Sequence, residues 1–134
     1  MNKYYVIAAL LVAAGAFFAF KCAQKPQTDG KTKVEVITPA AFKERLATDS
    51  TAFLLDVRRP EEYAEGHLEG ATLMNWSDQE RFKEEAKKLD KSKTIYIYCR
   101  SGRRSNAAAQ YLAGEGYTTV DMQGGILAWR QAGL

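Results

Sequence analysis

Cys99 is followed by Arg100, Ser101, Gly102, Arg103 and Arg104, so three guanidinium groups stand within five residues of one thiol. Like charges gathered on a short segment repel one another unless an anion or a thiolate balances them. The segment begins where Thr94-Ile95-Tyr96-Ile97-Tyr98 ends, a β-branched and aromatic run of strand length. It leads into Ser105–Ala113, rich in helix formers and closed by Gly114. Strand, loop and helix in that order put the thiol at the carboxyl end of a strand, where open α/β folds bind ligands. Such a loop can turn its backbone amides inward as an anion nest, and the following helix directs its positive N-terminus to the same point. These features favour thiolate over thiol, and the chemistry they allow is nucleophilic. The bland alternative is a buried strand cysteine beside a solvated basic turn, and the density of arginines argues against it.

The elements that must position this loop are legible from Val34 onward, where short apolar runs alternate with helical stretches. Thr38-Pro39 predicts a helix start, with a hydroxyl cap and a proline that needs no amide partner, continued by Ala41, Phe42, Arg45 and Leu46. Ala52–Val57 reads as a strand that places Asp56 near its end, and Pro60–Tyr63 as a helical turn that Gly66 can close. Ser77 with Glu80 predicts a capping box opening a helix through Phe82, Ala86 and Leu89 that stops near Asp90. Thr118–Met122 is a further strand, and Gly124-Gly125 opens a last amphipathic turn through Ile126, Leu127 and Trp129. Strands alternating with helices imply a parallel α/β sheet.

Residues 1–33 differ from the rest in composition. Met1-Asn2-Lys3 precedes an unbroken apolar run from Tyr4 to Phe20, which reads as a signal peptide or membrane anchor ending at residue 22. Residues 23–33, polar and lysine-containing, read as a tether, and residues 34–134 as one domain. An exported protein is therefore expected, periplasmic or membrane-anchored on that side, although Lys21, Lys25, Lys31 and Lys33 after the run would suit the opposite topology. Cys22 follows the run as a lipidated cysteine would, but Lys21 before it argues against lipoprotein cleavage.

Composition removes several function classes. A net charge of +3 from 19 basic and 16 acidic residues is no nucleic-acid footprint. Two separated cysteines and one histidine supply neither a disulfide framework nor a clustered metal site, and no nucleotide fingerprint occurs, so no cofactor is expected.

Cys99-Arg100-Ser101-Gly102-Arg103-Arg104-Ser105 resembles the active-site loop of the rhodanese family. Leu55-Asp56-Val57-Arg58 with Glu62-Tyr63 and Gly66-His67-Leu68-Glu69-Gly70-Ala71 is similar to that family's N-terminal signature, and Gly124–Trp129 with Gly133 to its C-terminal one. The resemblance implies a parallel sheet flanked by helices and a double-displacement sulfur transfer. In it Cys99 accepts sulfane sulfur from a small anionic donor, thiosulfate or a persulfide, and passes it to a thiol or protein acceptor. Arg100, Ser101, Gly102, Arg103 and Arg104 would form the substrate cradle. Asp56 and Arg58 would support the loop or fix the strand end; His67, Tyr63, Trp76 and Trp129 read as structural. Two other classes are alternatives: a non-catalytic module that carries or senses sulfur, as rhodanese-like domains also serve as recognition units, and a cysteine phosphatase or arsenate reductase, whose related folds use a cysteine in an oxyanion loop. Against the latter, Ser105 stands where a phosphatase loop requires arginine.

Overall fold

The computed structural model describes residues 34–134, so the apolar run, Cys22 and the tether lie outside the described residues. Ten elements follow in order: β1 (Val34–Ile37), α1 (Pro39–Thr48), β2 (Ala52–Asp56), α2 (Pro60–Ala64), β3 (Thr72–Leu73), α3 (Gln79–Ala86), β4 (Thr94–Tyr98), α4 (Arg103–Gly114), β5 (Thr118–Met122) and α5 (Gly125–Gln131). The strands form one sheet in the order β1-β5-β4-β2-β3, and every pairing is parallel. The fold is thus the expected α/β one. No helix among the described residues is long and apolar enough to cross a membrane.

β4 is the centre of the sheet and is buried on both faces, which is why its five residues carry no polar alternation. Ile95, Ile97 and Cys99 point to a core completed by Phe82 and Ala86 of α3 and by Ala108, Ala109 and Leu112 of α4. Tyr96 and Tyr98 point the other way, into a core with Phe42 of α1, Met122 of β5 and Ile126 of α5. Period two along one strand therefore assigns the thiol to the α4 face.

Several local readings shift. Thr38 caps α1 as expected, its Oγ1 accepting from the Ala41 amide at 3.3 Å. The Ser77–Glu80 capping box does not form. Asp78 is the cap instead, accepting from the Arg81 amide at 3.2 Å, because Asn75 Oδ1 already holds the Ser77 amide at 3.0 Å in the preceding turn. α3 ends at Ala86, and i→i+3 bonds from Lys88 and Leu89 carry the chain on as a tighter turn that still packs Leu89 on the core. The α4 helix begins at Arg103, two residues before Ser105, because Gly102 adopts a left-handed conformation (φ 96°) that ends the loop there. Strands β1 and β3 add an edge on each side that the apolar runs did not mark.

Candidate active site

Cys99 leaves β4 at the carboxyl edge of the sheet and is fully buried. The Gly102 amide donates to its Sγ at 3.1 Å. A side chain at position 102 would be strained at φ 96° and would press on the Gly124 backbone, so glycine is what lets this amide face the sulfur. The turn also brings the N-terminus of the twelve-residue α4 to the same end of the strand, adding its partial positive charge.

The start of α5 clamps this loop from behind. Ile126 donates to the Cys99 carbonyl at 2.9 Å and Leu127 to the Arg100 carbonyl at 3.1 Å. A Cβ on Gly125 would collide with both carbonyls, the Cys99 oxygen at 2.6 Å, so the close approach depends on that glycine. Gly124-Gly125, which the sequence marks as the opening of the last amphipathic turn, is thus a backbone clamp on the Cys99–Arg100 segment.

The loop arginines divide. Arg100 and Arg103 are exposed, as is Ser101, and neither arginine belongs to an ion pair among the described residues. Arg104 lies in the first turn of α4, where its two terminal nitrogens grip Glu62 of α2 at 2.7 and 2.8 Å. Glu62 Oε2 also accepts from the Arg59 amide at 3.0 Å. The bond to Arg104, reinforced by that amide, holds the Glu62 carboxyl down at about 2 against burial that raises it. Glu62 was visible in the sequence only as part of a motif; the distance of 42 residues to its partner hides the pairing.

Asp56 and Arg58 form a buried pair. Arg58 Nη2 donates to Asp56 Oδ2 at 2.7 Å and to the Gly66 carbonyl at 2.8 Å, and the Arg58 amide caps Oδ1 at 3.0 Å. Tyr98 completes it by donating to Asp56 Oδ2 at 2.7 Å while accepting from the Leu68 amide at 3.0 Å. Burial and the neighbouring carboxylate push the Tyr98 hydroxyl well above its ordinary range, so it stays a donor. The pair ties the end of β2 to the residue before Cys99 and to the 66–68 turn. None of its bonds reaches the loop 99–104. His67 is exposed, stacked on Tyr63 at 3.6 Å with Nδ1 2.9 Å from the Tyr63 carbonyl, an arrangement that holds the turn. Trp76 packs edge-on against Phe82 at 4.9 Å. No cluster of metal-ligating side chains exists among the described residues.

The profile of the rhodanese-like domain matches residues 38–132. This chain belongs to the rhodanese family. A putative sulfurtransferase of Bacillus subtilis, YtwF, is 38% identical over 97 residues, covering 72% of this chain and 91% of its own. The thiosulfate sulfurtransferase PspE of Escherichia coli is 37% identical over 73 residues, 54% of this chain and 68% of its own. The crystal structure of a rhodanese-related protein from Thermoplasma volcanium superposes with a TM-score of 0.66 at 30% identity, covering 74% of this chain and 93% of that one.

Proposed function

We propose that this rhodanese is a sulfurtransferase that carries sulfane sulfur as a persulfide on Cys99. The observation that carries the reading is the Gly102 amide 3.1 Å from Sγ at the head of α4, an arrangement that stabilises negative sulfur. In the first step the Cys99 thiolate attacks the outer sulfur of a donor such as thiosulfate. The S–S bond of the donor breaks, sulfite leaves with the bonding pair, and Cys99 holds the sulfur as Cys–S–S⁻. In the second step an acceptor thiolate attacks that terminal sulfur, and Cys99 departs as thiolate with its electron pair.

Arg100 and Arg103, exposed and without an ion-pair partner among the described residues, suit an anionic donor at the loop rim. Arg104, already bidentate on Glu62, acts by holding the first turn of α4 in place. The short loop from Cys99 to Arg104, with Ser105 where a phosphatase loop carries arginine, favours a single terminal sulfur atom over a larger tetrahedral phosphorus centre. The apolar run 4–20 suits a domain held on the far side of a membrane, supplied with sulfur there by small donors or by a protein partner.

Intact mass of protein purified without reductant tests the reading. One added sulfur, removed by cyanide and absent from Cys99→Ser, is the expected result, together with thiosulfate or persulfide turnover and negligible aryl-phosphate hydrolysis. Phosphatase turnover lost in Cys99→Ser, with no sulfur transfer from any donor, would overturn it.

A further inference from the structure

Cys99 has no exposed surface, while Arg100, Ser101 and Arg103 after it are exposed. A thiol that attacks sulfur on Cys99 must therefore be carried on something narrow, and the body behind it rests on what borders the loop. Arg59, the residue before α2, is exposed and, like Arg100 and Arg103, forms no ion pair among the described residues. It shares with Arg104 an open groove of about 440 Å³ whose other walls are Glu61 and Glu62 of α2. Arg104 already neutralises Glu62, so Glu61 is the groove's one acid without an ion pair among the described residues, against three such arginines in the groove and loop. Leu127 adds an apolar contact: its amide donates to the Arg100 carbonyl at 3.1 Å, and its side chain is 36% exposed. The other exposed large apolar side chains of the described residues are elsewhere, Val36 on the edge strand β1 and Leu134 at the last residue.

A small anion such as thiosulfate can sit on Arg100 or Arg103, but Arg59 stands on another element, across the Glu62–Arg104 bridge. Balancing all three takes a longer anion. The excess is local, since the whole chain sets 19 basic against 16 acidic residues. It is also an excess of one residue type: the lysines of the described residues lie on α1, on α3 and between α3 and β4, and only arginines border the loop. Arginine forks match carboxylates bidentately, and arginines beside an exposed apolar side chain are the composition of protein interfaces.

We propose that this face docks an acidic, thiol-bearing segment protruding from a partner protein, its carboxylates on Arg59, Arg100 and Arg103 and an apolar neighbour of its thiol on Leu127. The segment is the sulfur acceptor. Its thiolate attacks the terminal sulfur of the Cys99 persulfide, a new S–S bond forms on the segment as the bond to Cys99 Sγ breaks, and Cys99 leaves as thiolate with the bonding pair. The transfer rests on the persulfide reading above; the docking does not.

Capped peptides of sequence Glu-Glu-Cys-Leu-Glu, and counterparts with glutamine or lysine for every glutamate, test this on full-length protein loaded with thiosulfate. Each single-turnover discharge rate is divided by that peptide's rate with the persulfide of 2-mercaptoethanol, which cancels the effect of the flanking charges on the thiol itself. The glutamate peptide should outrun the glutamine one by about tenfold at low salt, with the lysine peptide slowest, and the advantage should shrink as salt screens it. Arg59→Gln should cut the advantage about two- to fivefold, and Leu127→Gln should slow the glutamate and glutamine peptides alike, while loading by thiosulfate and discharge by cyanide stay unchanged in both. Equal rates for the three peptides, a preference indifferent to salt, or full transfer in Leu127→Gln would overturn the proposal. So would a preference intact in Arg59→Gln, which would place it on the lysines of residues 21–33. Fluorescence anisotropy of the labelled glutamate peptide, with serine for its cysteine, reads docking on Cys99→Ser protein without any sulfur. Salt-sensitive binding weakened by Arg59→Gln, beside a wild type that never holds sulfur, would sink the persulfide reading and leave the face standing. Sulfur passed to cyanide with no peptide bound would do the reverse.

Discussion

Replacing Glu62 by glutamine removes the charge that holds Arg104 while keeping the side chain's shape. The Glu62 carboxyl lies at about 2 in the folded protein against an ordinary 4.5, with the Arg104 bond as the largest cause. At about 1.36 kcal/mol per pKa unit the shift corresponds to roughly 3 kcal/mol, and screening at a pair whose side chains are 26% and 25% exposed reduces this to about 2. The folded pKa is depressed, so this stability is present above 4.5 and is lost as pH falls toward 2. Under half of it should survive at pH 3. Urea unfolding of wild type and Glu62→Gln at pH 7 and pH 3 reads the difference directly: about 2 kcal/mol at pH 7, shrinking by more than half at pH 3. Sulfur transfer should slow in parallel at neutral pH, because the first turn of α4 loses its tie to α2. An equal destabilisation at both pH values would refute the argument, since it would mean that the pair contributes shape and not charge.

Gly125→Ala should destabilise by about 2–4 kcal/mol, since the residue sits at φ 64° against the Cys99 and Arg100 carbonyls; a melting curve unchanged from wild type would show that the clamp yields freely. Tyr98→Phe strips the hydroxyl that joins Asp56 to the Leu68 amide, and chemical denaturation should register a loss of about 1–3 kcal/mol, against none if water replaces the phenol. A reporter enzyme active only outside the cytoplasm, fused after Leu134, should be active; silence despite good expression would reverse the proposed location. Cys22→Ser should leave transfer intact, and a Cys22–Cys99 disulfide on a non-reducing gel would contradict the separation of tether from site.

The amino-acid sequence by itself determined the alternation of strands and helices, and the place of Cys99 and its basic loop at the end of a strand. Those features are local: the β-branched and aromatic residues 94–98, a glycine that ends the loop and the helix formers after it all act close to Cys99 in sequence. Element boundaries were less secure where two caps competed, as Ser77 and Asp78 did. Pairings between distant segments were decided by the tertiary structure alone. Glu62 meets Arg104 across 42 residues, Tyr98 meets Asp56 across the same separation, and α5 reaches back to the Cys99 carbonyl only because β5 lies beside β4. Asp121 shows the difference most plainly. In the sequence it is one acid among 16, and only the closure of α4 over the β5 face buries it and leaves Oδ1 without a hydrogen-bond partner among the described residues. Desolvation depends on everything packed around a group, and no run of neighbouring residue types encodes it.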